Sequence, residues 1–390
     1  MKITEVTDRQ TAKEFLQVNA MMNAANPAYI RALDNEVNEV FDPAKNKLFK
    51  YGEARRWIAT ADDGSLVGRI AAFTNEKYIN KGTEFKTGGI GFFDCINDQA
   101  TANVLFDTAE QWLKEMGMEA MDGPINFGDR DKWWGLMVEG FNSEPMYGMS
   151  FNPEYYQSLF EGYGFKNYYN QYYYNMSVDD PLPERFSERH ARFSNKPGYS
   201  AKHVKLNELD KCAGDFATVY NAAWAQHGEA KEITKEQVMK LFAKMKPIMD
   251  ERVVWFAYYK EEPIAMFINI PDINQYFKYF NGRFGLLQKI HLLWMKFRGT
   301  NKRLTGLAFG VVPKYQSLGV DSYLIYACSI TMLGKGFYHQ YEMGWAGDWN
   351  PKMVNIYKSL GGKQSRKMVT YRHIFNDQIP FERHPEMDYK

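Results

Sequence analysis

Cysteine, metal-ligand patterns and long apolar runs are what this chain has least of. Its 390 residues hold three cysteines, Cys95, Cys212 and Cys328, each more than 100 positions from the next and none in a Cys-x-x-Cys pair. That spacing excludes a disulfide framework and reads as reduced thiols in a cytoplasmic protein. Seven histidines occur without His-Glu-x-x-His or any Cys/His ligand spacing, so no metal is expected. No run of 18 apolar residues is present, which removes a membrane span, and the opening MKITEVTDRQ has no apolar stretch of a secretory signal. An excess of one charge is lacking too: 48 basic side chains face 47 acidic ones, a net charge of +1. No global field therefore draws the chain to nucleic acid or to an anionic membrane, and neither is expected as a partner.

What is there is an ordinary globular balance, 45% hydrophobic and 24% charged, which favours packed cores over disorder. The length suggests two or three domains. Aromatic residues at 16% fit tyrosine-rich strands in large cores, or an aromatic-lined ligand groove. The clearest break in composition is DDPLPERFSERHARFSNKPGYS, 179–200, with three prolines, many charges and few large aliphatics. It reads as a linker between an N-terminal domain, 1–178, and a C-terminal domain, 201–390.

Hydrophobic periodicity and turn signals give each half the same order. In the first, a helix over 10–22 precedes strands at 56–61, 66–74 and 89–96, a helix over 97–116 and a strand at 118–125. An irregular stretch (126–150), a helix (153–162) and a strand (165–176) complete it. In the second, helices at 209–224 and from Thr234 precede a hairpin around Glu261-Glu262-Pro263. A strand (303–312), helix (319–333), strand (337–345), helix (351–360) and strand (366–375) close the chain. This order predicts an α/β layer with a mixed sheet. NPEYYQSLFEGYGFK (152–166) also aligns with NPKMVNIYKSLGGKQ (350–364), each opening Asn-Pro, with Asn as helix cap, and ending on a glycine. The match points to an internal duplication.

The sharpest candidate for chemistry is VVPKYQSLGVDSYLIYA, 311–327. A strand runs into Pro313, then a tight loop, Gly319 and a helix. Backbone N–H groups at such a loop, with the helix dipole behind them, can hold a pyrophosphate. This resembles the acyl-CoA pyrophosphate loop of GNAT acetyltransferases, Gln/Arg-x-x-Gly-x-Gly/Ala; Gln316 and Gly319 match its first two positions and Asp321 departs from the third. Downstream, Asn350, Tyr357 and Gly361 are similar to the later motif Asn-x6-Tyr-x3-Gly-Phe, with Gly362 in place of Phe. The resemblance implies two tandem GNAT-like acyl-CoA N-acyltransferase domains. It implies acetyl-CoA or another acyl-CoA at Val311, Val312, Gln316, Ser317, Leu318, Gly319, Val320, Asp321, Ser322 and Asn350. Tyr357 would be the acid that protonates the departing thiolate. Glu342 is the candidate general base, which alternation puts on the opposite strand face from Tyr341 and Met343, and His339 is a weaker one. In the N-terminal half no Gln-x-x-Gly occurs and Phe160 stands where the tyrosine would be, so this half resembles a GNAT fold without cofactor motifs. GPINF, MSFNPEYY, PDINQ and GVVPKYQSLGVD make the whole chain similar to a bacterial group of tandem GNAT-like proteins.

Two stretches fall outside that pattern. GPINFGDRDKWWGLMVEGF, 123–141, is a polar-aromatic loop at the end of a strand, a place for a ligand or for a lid. In the insertion 271–302, Leu286, Leu287, Ile290, Leu293 and Trp294 form an apolar helix face with Lys289, Lys296 and Arg298 on the other side. Covering the acyl-CoA groove, touching a membrane surface and packing between the domains are the three options, and the last is expected. The function these readings imply is acyl-CoA-dependent N-acylation, N-acetylation first among the options, of a small-molecule or peptide amine by a monomer or homodimer. Two others stand beside it: a catalytically inactive ligand-binding or scaffold protein, and an aminoacyl-tRNA-dependent peptide aminoacyltransferase. The latter would want a basic groove that the balanced charge does not advertise.

Overall fold

The computed structural model describes residues 1–78, 85–128, 130–224 and 232–386. The first half runs β1 (Lys2–Glu5), α1 (Arg9–Asn23), α2 (Asp34–Val40), β2 (Ala54–Thr60), β3 (Leu66–Phe73) and β4 (Thr87–Cys95). It continues with α3 (Gln99–Glu115), β5 (Ala120–Gly123), β6 (Leu136–Glu139), α4 (Tyr156–Tyr163) and β7 (Lys166–Ser177). The second half runs α5 (Glu184–Ser194), β8 (Tyr199–His203), α6 (Leu209–Trp224), α7 (Lys235–Met245), β9 (Val254–Tyr259) and β10 (Glu262–Pro271). After it come α8 (Asn274–Phe277), α9 (Leu286–Phe297), β11 (Arg303–Val311), α10 (Val320–Met332), β12 (Gln340–Gly347), α11 (Pro351–Ser359) and β13 (Lys363–Ile374).

Local signals place most of these. Asp98 caps α3 by accepting from the Thr101 N–H, and Thr234 with Gln237 forms the capping box read for α7. The second-half hairpin turns one step earlier than expected: Lys260 and Glu261 take positive φ of 49° and 67°, and Glu262 already pairs with Tyr259. Of the two Asn-Pro pairs, Asn350 caps its helix through the Met353 N–H. Asn152 instead exchanges bonds with the backbone of Met137, pinning β6. Gly164 and Gly361 both take left-handed φ, 108° and 87°.

One mixed sheet runs β1-β2-β3-β4-β5-β13-β7-β12-β11-β10-β9-β8, with β6 pairing to β13 at the side. In each half one parallel pair, β4–β5 or β11–β12, is followed by a strand taken from the other half. Thus β13 lies against β5 (Tyr371↔Gly123) and β7 against β12 (Tyr341↔Met176), while β7 and β13 pair along their length. The core of the first half packs Leu105, Phe106, Leu113, Tyr156 and Phe160 on the sheet. In the second half, one core lies under α10 and α11 (Leu324, Met343, Tyr357) and another under α6 and α7 (Phe216, Phe242, Met266).

Three segments differ from the sequence reading. The stretch 179–200 contains α5, which buries Phe186 and Phe193 against the α10 layer; its dense charge masked a one-sided helix. The irregular stretch 126–150 supplies β6 and then reaches across to the second half. Asp129 of that stretch lies outside the described residues. The apolar face of α9, expected between the domains, points to solvent: Leu292 and Met295 are its buried residues, on the other side. Periodicity identifies a face that avoids water but not what covers it.

Candidate active site

β11 and β12 pair for three residues, Arg303–Thr305 with Gln340–Glu342, and then part. Glycines mark the parting. A Cβ on Gly306 would lie 2.7 Å from the Tyr341 hydroxyl, and one on Gly344 would lie 3.8 Å from that of Tyr357. Both hydroxyls therefore look into the opening between the strands. Among the described residues neither has a hydrogen-bond partner. Burial raises the Tyr357 hydroxyl well above the usual tyrosine range, and burial with the neighbouring Tyr357 does the same to Tyr341. Both stay protonated at neutral pH, the state a donor requires. Tyr174 of β7 stands against the Tyr357 ring at 5.6 Å, so a strand of the first half helps to fix it. Gly362 leaves no room for a side chain: a Cβ there would meet Met343 Cε and the Tyr357 carbonyl oxygen at 2.9 Å.

At the far end of β11 the chain makes a short turn over Pro313–Tyr315 and enters α10 through Gly319, whose φ of 95° suits glycine. Gln316 is exposed, and its amide folds back to donate to the Val311 carbonyl at 3.0 Å, bracing the loop. Val311 and Val312 are held by β10: Val311 opposite Ala265, and the Val312 N–H on the Ile264 carbonyl. Ser317 takes a φ of 61°, Leu318 is exposed, Val320 and Ser322 are buried, and Asp321 occupies the first helical turn. Asn350 caps α11 with its side-chain oxygen, two turns before Tyr357 on the same helix.

Two residues with no counterpart in the sequence reading come to this loop from α5. Arg192 donates to the Leu318 carbonyl at 2.6 Å and Arg189 to the Ser322 hydroxyl at 2.7 Å. A Cβ on Gly319 would touch both guanidinium arms at 3.2 Å. Their spacing of three on a helix was the available signal, hidden inside a segment that reads as linker. A left-handed glycine at a helix N-terminus, flanked by two cations and leading to parted strands, fits a phosphate-bearing acyl carrier.

Glu342 is placed differently. It sits on the face away from Tyr357, as alternation predicts, and is buried in an ion pair with Arg366 at 2.9 Å. Arg366 also donates to the Glu144 carbonyl at 2.7 Å, and Arg303, paired with buried Asp272, donates to the carbonyls of Glu144 and Pro145 at 3.0 Å. These buried groups clamp the 140s segment onto the second half, so the structure does not bring Glu342 and Tyr357 together. His339 is paired with Asp179 at the exposed start of β12. On the same side as Glu342, Arg130 lies 5.6 to 5.9 Å from the rings of Trp134, Tyr169, Trp345 and Trp349, uniting the polar-aromatic loop with β12. In the first half the position equivalent to Tyr357 is buried Phe160, packed edge-on to Phe106 and tilted against Phe165 and Tyr371. The turn there is only Ile96–Asp98, and Asp94 is tied up by Arg69, Asn19 and Tyr156. No group of metal-ligating side chains is found among the described residues.

No protein-family profile matches the chain. Among curated proteins it is similar to the bacterial ceramide synthase of Caulobacter vibrioides, 26% identical over 92% of this chain and 93% of that one. It is also similar to protein YghO of Escherichia coli, 23% identical over 93% of each. Among solved structures, a tandem GNAT protein from the clavulanic acid biosynthesis pathway superposes with a TM-score of 0.55 at 10% identity, covering 98% of this chain and 99% of the other. A GNAT-type N-acetyltransferase from Sphaerobacter thermophilus gives a TM-score of 0.50 at 12% identity, covering 99% and 97%. The parted parallel strands, the glycine-led loop and this full-length likeness agree: the chain has the tandem GNAT fold, two GNAT-like halves sharing one mixed sheet.

Proposed function

We propose that the protein is an acyl-CoA-dependent N-acyltransferase whose acyl-CoA site lies in the C-terminal half. The observation that carries this reading is the opening between β11 and β12, with the Tyr357 hydroxyl at its inner end and the cationic Gly319 loop at its outer end. Bound there, acyl-CoA would supply an activated thioester carbonyl. The loop 316–322, with Arg189 and Arg192, would hold the phosphates, and Asn350 would stand beside the carrier's arm. Tyr357 would donate its proton to the sulfur as the carbon–sulfur bond breaks, because the thiol leaves as an anion. Positioning between the strands would contribute most of the acceleration. Glu342, locked to Arg366, would shape the acceptor side. The amine's own proton would then pass to solvent.

The acceptor class has partial support. Ceramide is an N-acyl amide of a long-chain amino alcohol, and the ceramide synthase relative matches nearly the whole chain. An apolar cavity of about 70 Å³ beside Tyr341, lined by Phe267, Ile325, Cys328 and Met332, is suited to part of a hydrocarbon tail. We therefore favour an amphiphilic amine over a peptide. Thermal unfolding with and without acetyl-CoA and longer acyl-CoAs tests the carrier site. Ligand at a hundred times its Kd should add roughly 2.7 kcal/mol of stability. In the variant Tyr357→Phe, turnover should fall by roughly a hundredfold with the ligand-induced shift intact. Absence of any shift with every acyl-CoA would favour the inactive, ligand-binding reading instead.

A further inference from the structure

Helix α9 leaves one face of three turns uncovered. Leu286, Leu287, Ile290, Leu293, Trp294 and Phe297 are between 55% and 89% exposed. On its other side Leu292 and Met295 settle into a cluster with Leu33, Ile273, Phe277 and Phe280, so the helix is anchored to the body and its orientation is fixed. Six large apolar side chains together on one short helix exceed the scattered exposure normal for a protein surface. The charge around them is equally one-sided. Residues 273–302 contain six Lys or Arg and no Asp or Glu, although the whole chain carries only +1. Arg283, Lys289 and Arg298 are exposed, with Lys289 5.8 Å from the Phe284 ring and Arg298 5.9 Å from the Trp294 ring. The cations thus border the apolar face, where long side chains can reach headgroups while their stems stay in the apolar layer.

We propose that α9 is an interfacial anchor that lays its apolar face into the surface of an anionic phospholipid bilayer, with Arg283, Lys289 and Arg298 on the headgroups. An apolar face with Trp and Phe, a basic margin and no acid is the pattern such helices need. The contact is a lying one, since no helix among the described residues is long and apolar enough to cross a membrane. A second copy of the chain fits the face less well. It would bring two acid-free basic segments together, and one helix supplies far fewer than the roughly 20–30 residues per side of a stable interface. The inference stands independently of acyl transfer.

Flotation of the full-length protein with phosphatidylcholine vesicles and with phosphatidylglycerol-rich vesicles tests it, using no enzymatic readout. The wild type should float with the anionic vesicles and weakly with the neutral ones. The triple variant Leu287→Ser/Ile290→Ser/Leu293→Ser changes exposed residues and should keep its unfolding temperature. It should lose about tenfold or more in binding to anionic vesicles. Lys289→Glu/Arg298→Glu should lose a similar factor on anionic vesicles and little on neutral ones. Leu241→Ser, an exposed change on α7, should bind as the wild type does. The proposal is overturned if the wild type floats with neither vesicle, or if the triple variant floats as well as the wild type. It is equally overturned if sedimentation shows a dimer, abolished by the triple variant, in a protein that ignores vesicles.

Discussion

Several buried ionisable side chains in this protein hold the halves together, among them Arg372 with Asp122 and Arg366 on the Glu144 carbonyl. Glu110 of α3 illustrates the consequence for pH. Burial disfavours its charge, but hydrogen bonds from His373, Lys114 and Tyr163 outweigh that and hold its carboxyl down at about 2, from an ordinary 4.5. Because the folded value lies below the unfolded one, the stabilisation is complete above about pH 5. It is lost as pH falls toward 2. The unfolding temperature should accordingly decline through that window, and Glu110→Gln should flatten the decline. An unchanged slope in the variant would assign the acid sensitivity to other carboxylates. His373 belongs to β13, so this cluster also fastens the exchanged strand. Glu342 and Arg366 follow the same logic: removing one partner would leave an uncompensated buried charge, costing about 3–5 kcal/mol. That cost is a reason to read the pair as architecture first.

Elements differ in how far their sequences announce them. Strands β2–β5, β7 and β9–β13, with α1, α3, α7, α10 and α11, follow from periodicity, caps and turns, because those signals depend on near neighbours; the short β1, β6 and β8 carry no such signal. Gly319 and Tyr357 were legible as motifs for the same reason. Helix α5 was not, and it brings Arg189 and Arg192 to the Gly319 loop. If these cations complete a phosphate site, Arg189→Ala/Arg192→Ala should raise the Kd for acyl-CoA by roughly tenfold to a hundredfold, since charged hydrogen bonds contribute about 1.5–3 kcal/mol. The loss should shrink at high salt, where such attractions are already screened. Isothermal titration at two ionic strengths would show it. Equal affinity in wild type and variant would mean that the arginines only brace the loop.

At the scale of the whole molecule, the exchanged strands make each half incomplete alone. Residues 1–178 would lack β13 beside β5, and residues 201–390 would lack β7 beside β12. Either piece would expose backbone donors and acceptors along an unpaired edge. Expressed separately, each should be insoluble or unfolded, and co-expression should recover a soluble complex. Independent, cooperative unfolding of either piece would contradict this expectation. Sequence by itself determined most of the element types and pointed to the duplication, because hydrophobic period, caps and turn residues are local and recur in both halves; the tandem GNAT-like fold class was legible through the resemblance of its motifs. Tertiary structure alone decided which strand pairs with which, that α5 serves the Gly319 loop, that Glu342 is locked to Arg366, and that α9 turns its apolar face to solvent. Each of those outcomes depends on contacts between residues tens to hundreds of positions apart, and a local pattern says what a face avoids without naming what it meets.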